Sequence, residues 1–267
     1  DGRPIGTAYV NPASLIAARI VSRKADEPLD ASLIKKRLER ALQLRETLFD
    51  VPFYRLCHSE GDWLPGLVLD RYGDMFSAQI TTAGMEAQKD ALLEVIGELF
   101  NPKAVLFRND VSVRTMENLP LIVETGMGTV PDEIEVRESG AAFTVSLAEG
   151  QKTGWFYDQR PNRVEAAKYA KGKTVLDVAC RRGKGCFKFS AKVGGTGHVI
   201  GVDWSPSYIE EAIVDSEKAW RKNGLKANNM SFKVAYPEDL MQAGIGESTV
   251  DVVYINNVMT LLYDQGK

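Results

Sequence analysis

One stretch of the chain, residues 173–203 (KTVLDVACRRGKGCFKFSAKVGGTGHVIGVD), has the pattern of a strand, a tight turn, a helix and a second strand. The first apolar run, Val175 and Leu176, ends at Asp177, and the second ends at Asp203. A βαβ unit of this kind places backbone N–H groups and a helix N-terminus beside a ligand, and an acid after the second strand can accept both hydroxyls of a ribose. The stretch therefore predicts a doubly wound α/β sheet that binds a nucleoside cofactor.

Length and charge limit the classes of partner. The chain has 267 residues, of which 44% are hydrophobic, so it can bury a sizeable core and is long enough for two domains. Its formal net charge of -3 gives no global attraction to nucleic acid. An RNA partner would therefore have to bind a local basic patch.

Three features bear on the cellular compartment. No apolar run approaches the roughly 20 residues that span a bilayer, and the opening DGRPIGTAYV lacks the regions of a signal peptide. The cysteines, Cys57, Cys180 and Cys186, show no C-x-x-C spacing, which is typical of a reducing cytoplasm. We therefore expect a cytoplasmic protein with no membrane partner and, because its two histidines are scattered, no metal site.

The first half of the chain carries signals of short local elements. Residues 7–21 suit a strand pair around the turn at Asn11, and Asp30 is placed to cap a helix. The further elements predicted here are a hairpin at Gly73 and Asp74, a helix over 85–100, strands over 104–108 and 121–124, and a hairpin around Gly140.

Two features of this half have two interpretations each. The helix after Asp30 has a basic face that either contacts phosphate or is simply solvated, and Trp63, Arg71 and Tyr72 suit either a binding site or a turn with an anchoring aromatic. The cations of the basic face are Lys35, Lys36, Arg37 and Arg40.

The segment 149–163 (EGQKTGWFYDQRPNR) joins the two halves and is dense in polar groups, including Gln151, Lys152, Gln159 and Arg160. Such a loop beside a nucleotide fold can hold a carboxylate, and the alternative is a salt-bridged hinge. The elements predicted to follow are a helix over 161–170, a helix over 206–223 capped by Ser205, and strands over 174–178, 198–203, 230–234 and 250–255.

From about residue 6 to residue 185 the chain resembles the bacterial PUA-domain family of ribosomal RNA cytosine-C5 methyltransferases, which act on large-subunit RNA. The resemblance rests on YVNPASLIAARIVSR, YRLCHSEGDWLPGLVLDRYGD and EGQKTGWFYDQRPNR. It implies an S-adenosylmethionine (AdoMet) enzyme with three parts. These are a remnant of a PUA domain (1–27), a helix with a small α+β linking domain (28–148), and an incomplete Rossmann-like methyltransferase domain of about four strands (149–267).

Beyond about Gly185 the chain is more similar to arsenite methyltransferases, through KVGGTGHVIGVDWSPSYIEEA and EDLMQAGIGESTVDVVYINNVMTLLYDQGK. These are also AdoMet-dependent, and both relatives place cofactor residues at the same positions of the same fold. The cofactor implied is therefore AdoMet, whichever substrate is used.

The cofactor residues implied by these resemblances follow the strands of the C-terminal half. Asp203 takes the ribose, Trp204 stacks on the adenine, and Glu238 accepts from the adenine amino group. Ala179 and Arg181 stand where two of three glycines are usual, which places the cations of Arg181 and Arg182 where a sulfonium must approach unless they point outward. The full set of cofactor residues is Gln159, Arg160, Asp177, Cys180, Gly183, Asp203, Trp204, Glu238 and Asn256.

The chemistry of the substrate is less defined. The related RNA enzymes add a cysteine thiolate to C6 of cytosine, and those cysteines lie after later strands, where this sequence has none. Cys180 and Cys186 fit packing positions, and the arsenite family's metalloid-binding cysteine is matched by Asn257, so no catalytic residue is assigned. The fourth strand is expected to be an edge that a second copy of the chain or a missing C-terminal segment covers.

Three hypotheses remain. The first is a ribosomal RNA cytosine-C5 methyltransferase, present as a fragment or a degenerate copy, with ribosomal RNA as the partner. The second is an arsenite or other small-molecule methyltransferase, and the third is a non-catalytic RNA-binding protein that retains the fold.

Overall fold

The protein was analysed as a computed structural model, which describes residues 2–150 and 153–255. The chain divides into two compact units. The first comprises Asp1–Arg137 and Thr144–Tyr157, and the second comprises Glu138–Phe143 and Asp158–Lys267. Among the described residues, none of the helices combines the length and the apolar character needed to cross a bilayer.

The first unit is built on a mixed five-stranded sheet in the order β3-β4-β5-β6-β7, in which only β5 and β6 are parallel. An antiparallel pair, β1 and β2, precedes it, and a hairpin, β8 and β9, follows it in the chain. The hairpin is divided between the units, since Glu138–Phe143 belong to the second. The elements are β1 (Thr7–Val10), β2 (Ala18–Ser22), α1 (Ala31–Leu48), β3 (Phe53–His58), β4 (Leu67–Tyr72), β5 (Met75–Ile80), α2 (Ala83–Glu86), α3 (Lys89–Phe100), β6 (Ala104–Asn109), β7 (Ile122–Gly128), β8 (Ile134–Glu138) and β9 (Ala141–Val145).

Local sequence signals explain most of these boundaries. Asp30 caps α1 as predicted, because its side chain accepts a hydrogen bond from Leu33 N at 3.0 Å. The hairpin at Gly73 is confirmed, with Gly73 in the left-handed region at φ 69°. One face of α1, including Ile34 and Leu38, packs with α3 and the sheet into a continuous apolar core.

Two predicted boundaries in this unit were wrong. The helix predicted from residue 85 begins at Lys89, because the chain at Gln88 leaves helical geometry (φ -103°, ψ 10°) after the separate turn α2. The strand predicted over 121–124 extends to Gly128, because it pairs along β6 in a register that short-range apolar patterning did not reveal.

The second unit has the predicted doubly wound arrangement. Its sheet has the order β12-β11-β10-β13, and every neighbouring pair is parallel. Residues of β10 and β11 pack with α5 and α6 into an apolar core that includes Val175, Phe189 and Val199. The elements are α4 (Arg160–Ala170), β10 (Thr174–Val178), α5 (Lys184–Val193), β11 (His198–Asp203), α6 (Pro206–Lys222), β12 (Met230–Val234) and β13 (Val252–Ile255).

Candidate cofactor site at the strand ends of the second unit

The bend between β10 and α5 lies at the carboxyl end of the central strand, where ligands of open α/β sheets bind. Ala179, Arg181 and Gly183 all have positive φ, at 57°, 51° and 74°. Ala179 and Arg181, which stand where glycine is usual, therefore keep the backbone conformation of a glycine. This conformation is strained for residues that have a Cβ. At Gly183 a Cβ would lie 3.0 Å from side-chain atoms of both Ala212 and Phe232, so a larger residue would crowd them in addition to adopting a strained φ.

The two arginines of the bend have exposed side chains. The guanidinium of Arg182 pairs with Glu211 of α6 at 2.8 Å and lies 5.3 Å from the centroid of the Tyr208 ring. Arg182 is therefore held on α6. The outward orientation that a sulfonium ligand requires is met for this cation.

Asp203 ends β11, and its carboxylate binds two backbone N–H groups. Oδ2 accepts from Arg181 N and Oδ1 from Ser205 N, both at 2.9 Å. Each carboxylate oxygen has a second lone pair, so the group retains acceptors for two ribose hydroxyls. Its side chain is only 1% exposed, however, so the bend would have to shift to admit a ribose. The neighbouring Trp204 is 43% exposed, which leaves its indole available for stacking.

Asp177 is a second buried carboxylate of the site. Within the described chain its one hydrogen bond comes from Cys186 Sγ, at 3.3 Å from Oδ2. Burial raises the pKa of Asp177 to about 7, although the thiol and the nearby Lys188 act in the opposite direction. Gly185 is needed beside this group, because a Cβ there would lie 2.2 Å from Oδ2.

Lys188 of α5 lies near this carboxylate. Burial, and then the charge of Arg163, lower the pKa of Lys188 to about 7. Its Nζ lies 5.2 Å from the centroid of the Phe143 ring, a contact that favours the charged form. Asp177 and Lys188 thus both change protonation near neutrality. Sequence reasoning missed Lys188, because a single Lys in an amphipathic helix gives no sign of burial.

Cys180 and Cys186 are both buried in the core of this unit. A Cβ on Gly201 would lie 2.9 Å from the Cys180 sulfur and 2.7 Å from the Cys186 sulfur, so the two thiols fill the space beside β11. Burial also raises the pKa of Cys186 well above its usual range, which disfavours a thiolate. These contacts are those of packing residues.

The predicted carboxylate-holding residues lie at the start of α4. Gln159 Oε1 accepts from Asn162 Nδ2 at 3.0 Å. Arg160 Nε lies 3.3 Å from a carboxylate oxygen of Glu138, which Arg163 also binds through two hydrogen bonds of 2.6 and 2.7 Å. Glu138 is therefore a structural partner of this region that the sequence did not reveal. A cofactor carboxylate would have to share these cations with it.

The earlier part of the junction segment belongs to the first unit. Thr153 Oγ1 donates to Asp70, Tyr72 OH donates to Thr153 O at 3.0 Å, and Tyr157 OH donates to Arg71 O at 2.8 Å. These bonds show that part of the motif is structural. Gln151 and Lys152 lie outside the described residues.

The remaining predicted residues are less informative. Glu238 is half-buried in the turn after β12. Asn256, predicted to contact the cofactor, and Asn257 lie outside the described residues. In the described ranges no cluster of three His, Cys, Asp or Glu side chains is arranged to hold a metal ion.

Comparison with known proteins agrees with this fold. Residues 170–267 match the model of a methyltransferase domain. The chain is 35% identical over 237 residues to ribosomal RNA large subunit methyltransferase I of Aeromonas hydrophila, covering 87% of this chain and 58% of the relative. It is 35% identical over 221 residues to the protein of the same name from Aliivibrio fischeri, covering 81% of this chain and 55% of the relative. The chain thus spans a little over half the length of these relatives.

Two solved structures are similar over most of the chain. A Streptococcus mutans protein assigned as a SAM-dependent methyltransferase superposes with a TM-score of 0.71 at 22% identity, covering 93% of this chain and 64% of that one. SMU.776, assigned as a methyltransferase and solved in complex with SAH, gives 0.72 at 21% identity, covering 93% and 63%. At this identity the match establishes the Rossmann-like methyltransferase fold.

Proposed function

We propose that this chain is part of an AdoMet-dependent methyltransferase that acts on large-subunit ribosomal RNA and is of the cytosine-C5 type. The observation that carries the proposal is the buried Asp203 at the end of β11, hydrogen-bonded to the glycine-type bend after β10. That arrangement matches what a nucleoside cofactor needs at the switch point of a doubly wound sheet. The named relatives support ribosomal RNA as the substrate class.

The residues at the strand ends fit AdoMet, given the shift of the bend described above. Asp203 would accept from the ribose hydroxyls, Trp204 would stack on the adenine, and Glu238 would accept from its amino group. Gly183, Cys180 and Asp177 would line the bend, with Gln159, Arg160 and Asn256 completing the set. When bound, AdoMet supplies an electrophilic methyl group on a sulfonium, which a neighbouring carboxylate stabilises and a cation opposes.

The protein's own contribution near the sulfonium is electrostatic. Because burial raises the pKa of Asp177 to about 7, a cation beside it would favour the ionised carboxylate and lower that pKa. No nucleophile is assigned within this chain. All three cysteines are buried, and burial raises the pKa of Cys57 and Cys186 well above their usual range.

We also propose that residues 1–27 are a remnant of a PUA domain and that residues 28–148 form the helix and linking domain, with 149–267 as the methyltransferase domain. The antiparallel pair of β1 and β2 and the mixed sheet that follows support this division. Ribosomal RNA is the expected macromolecular partner, and a second copy of the chain is the expected cover of β13.

Calorimetric titration with AdoMet tests the cofactor site. We expect wild type to bind and Asp203→Asn to bind roughly ten- to a hundredfold more weakly, because hydrogen bonds to a charged acceptor contribute about 1.5–3 kcal/mol each. Asp215→Asn, an exposed acid of α6, is the matched control and should bind as wild type. Absence of heat with wild type would contradict the proposal.

Transfer of tritiated methyl groups tests the substrate. Incorporation into large-subunit ribosomal RNA, located at C5 of a cytosine, is the expected result. Incorporation into arsenite instead would support the small-molecule alternative. If AdoMet binds but neither RNA nor arsenite is labelled, the chain binds the cofactor without either methyltransferase activity, which would contradict the proposed substrate.

A further inference from the structure

Trp63 is the most unusual exposed residue of the first unit. Its side chain is 44% exposed, and its backbone adopts the left-handed conformation (φ 61°, ψ 23°) at the end of the turn 59–62. A bulky side chain is disfavoured in this region of φ/ψ space, where glycine is the ordinary occupant. The buried part of the residue, rather more than half of its surface, contributes apolar burial against that cost. The exposed part of the indole contributes none, and its position at the surface is what packing leaves unexplained.

A cation lies over this indole. The guanidinium carbon of Arg23 is 5.7 Å from the centroid of the Trp63 ring. Arg37 of α1 holds the pair in place, because its guanidinium donates both to Val21 O, at the end of β2, and to Trp63 O. Arg37 therefore joins the two backbone segments that carry the aromatic ring and the cation.

The charges around the pair are favourable for an anionic ligand. Arg23 and Lys24 are both exposed, and within the described residues neither has a carboxylate at ion-pair distance. Three acids on the same segments have other partners: Glu27 binds Ser22 and Lys36, Glu60 binds Arg19, and Asp62 binds Arg45. Asp26 is exposed and, within the described residues, lies beyond ion-pair distance of both cations. The hydroxyl of Ser22 and the charges of Lys36 and Lys24 hold the pKa of Glu27 below its usual value. Two cations beside an exposed indole thus remain available to solvent.

A second Trp-Arg pair in the second unit provides the contrast. Arg221 lies 5.0 Å from the centroid of the Trp220 ring on α6. There Glu217 pairs with Arg221 at 3.5 Å and accepts from Trp220 Nε1 at 3.3 Å. A carboxylate thus neutralises that pair, as expected for a surface contact that only stabilises a helix.

We infer that Trp63, Arg23 and Lys24 form a docking surface for single-stranded RNA, in which an unpaired base stacks on Trp63 and the two cations contact the adjacent phosphates. Stacking on an aromatic ring and cations along the backbone are the two interactions by which proteins bind single strands. The inference rests on the proposed function for the choice of RNA as partner. It adds a substrate-binding surface to the first unit.

Fluorescence anisotropy with a labelled 12-nucleotide single-stranded RNA and the full chain tests this surface. We expect Trp63→Gly to bind on the order of 5- to 100-fold more weakly, which is the range for losing one stacked base. Glycine suits the left-handed backbone, and thermal melting would verify that the variant stays folded after losing the buried part of the indole. Trp63→Phe should retain most of the affinity, because it keeps a ring.

Charge is tested separately. Arg23→Gln should weaken binding and reduce the slope of log affinity against log salt by about 0.7, as for one phosphate contact on a single strand. The matched variants Trp220→Phe and Arg221→Gln should leave both quantities unchanged. Wild-type affinity in Trp63→Gly would overturn the inference. So would equal competition by duplex RNA or by polyglutamate, which would indicate shape recognition or a protein partner.

The AdoMet titration separates this inference from the proposed function. If the Trp63 and Arg23 variants lose RNA binding but wild type gives no heat with AdoMet, the surface stands and the enzyme proposal fails. If AdoMet binds and RNA binding is insensitive to Trp63, the surface fails and the cofactor site stands.

Discussion

Two buried aspartates, one in each unit, differ in how their charges are satisfied. Asp70 of β4 accepts from Arg55 Nε at 2.8 Å, from a second Arg55 nitrogen at 3.0 Å, and from Thr153 Oγ1. Asp177 of β10 accepts only a thiol donor among the described residues, and burial raises its pKa to about 7. The Asp70 carboxylate is neutralised by a cation of the protein, whereas the Asp177 carboxylate needs a proton or a ligand to neutralise it.

The largest expected effect follows from removing the Asp70 carboxylate, which is hydrogen-bonded to Arg55 and Thr153. Asp70→Ala removes a two-bond partner of the mostly buried Arg55 guanidinium and an acceptor of Thr153, so the free energy of unfolding should fall by about 3–5 kcal/mol in urea titrations. Asp74→Ala, whose exposed pair with Lys103 is screened by solvent, should cost less than about 1 kcal/mol. Equal losses in the two variants would contradict the assignment of Asp70 as a structural residue.

Replacing Asp177, which accepts only a thiol donor among the described residues, should have an effect on stability that is no larger and that depends on pH. The folded pKa of Asp177 lies above its unfolded value, so its contribution to stability is complete below pH 4 and is lost as pH rises towards 7. Asp177→Asn cannot ionise. We therefore expect it to gain up to about 4 kcal/mol relative to wild type between pH 4 and pH 7, measured by urea unfolding at each pH.

The interval for this measurement is set by Lys188, whose pKa is lowered to about 7 by burial. Below pH 7 this amine is protonated in both the folded and the unfolded state, so it does not change how the free energy of unfolding depends on pH there. Above pH 7 the unfolded state binds more protons than the folded state, and stability should rise with pH. A difference between wild type and Asp177→Asn that stays constant from pH 4 to pH 7 would mean that Asp177 is ionised throughout.

The contrast between the two aspartates also shows which features the sequence reveals. The cap at Asp30 and the hairpin at Gly73 depend on residues close in sequence, and both were predicted. The parallel pairing of β10 and β11 followed from the βαβ pattern, because a strand, a crossover helix and a second strand of one sheet allow few topologies. The positive φ of Arg181 was not predicted, although the resemblance places this residue where a glycine is usual.

Side-chain partnerships between distant segments were the main omissions. Glu138 binds Arg163 25 residues away, and Thr153 binds Asp70 83 residues away. Neither acid stands out in the sequence, because its burial depends on how separate elements meet. The site residues taken from motifs therefore stay predictions, while the groups that hold or neutralise some of them became visible only in the structure.

The smallest expected effect concerns Arg182, which tests whether the bend beside Asp177 is open to a cationic ligand. Its pair with Glu211 is about half exposed on both sides, so Arg182→Gln should change the free energy of unfolding by less than about 0.5 kcal/mol. AdoMet affinity should be unchanged, because the guanidinium is held on α6. The double variant with Glu211→Gln serves as the control for a purely surface pair. A tenfold gain in AdoMet affinity in Arg182→Gln would mean that the charge of Arg182 acts on the bend. Asp177 would then be neutralised by a cation of the protein, as Asp70 is by Arg55.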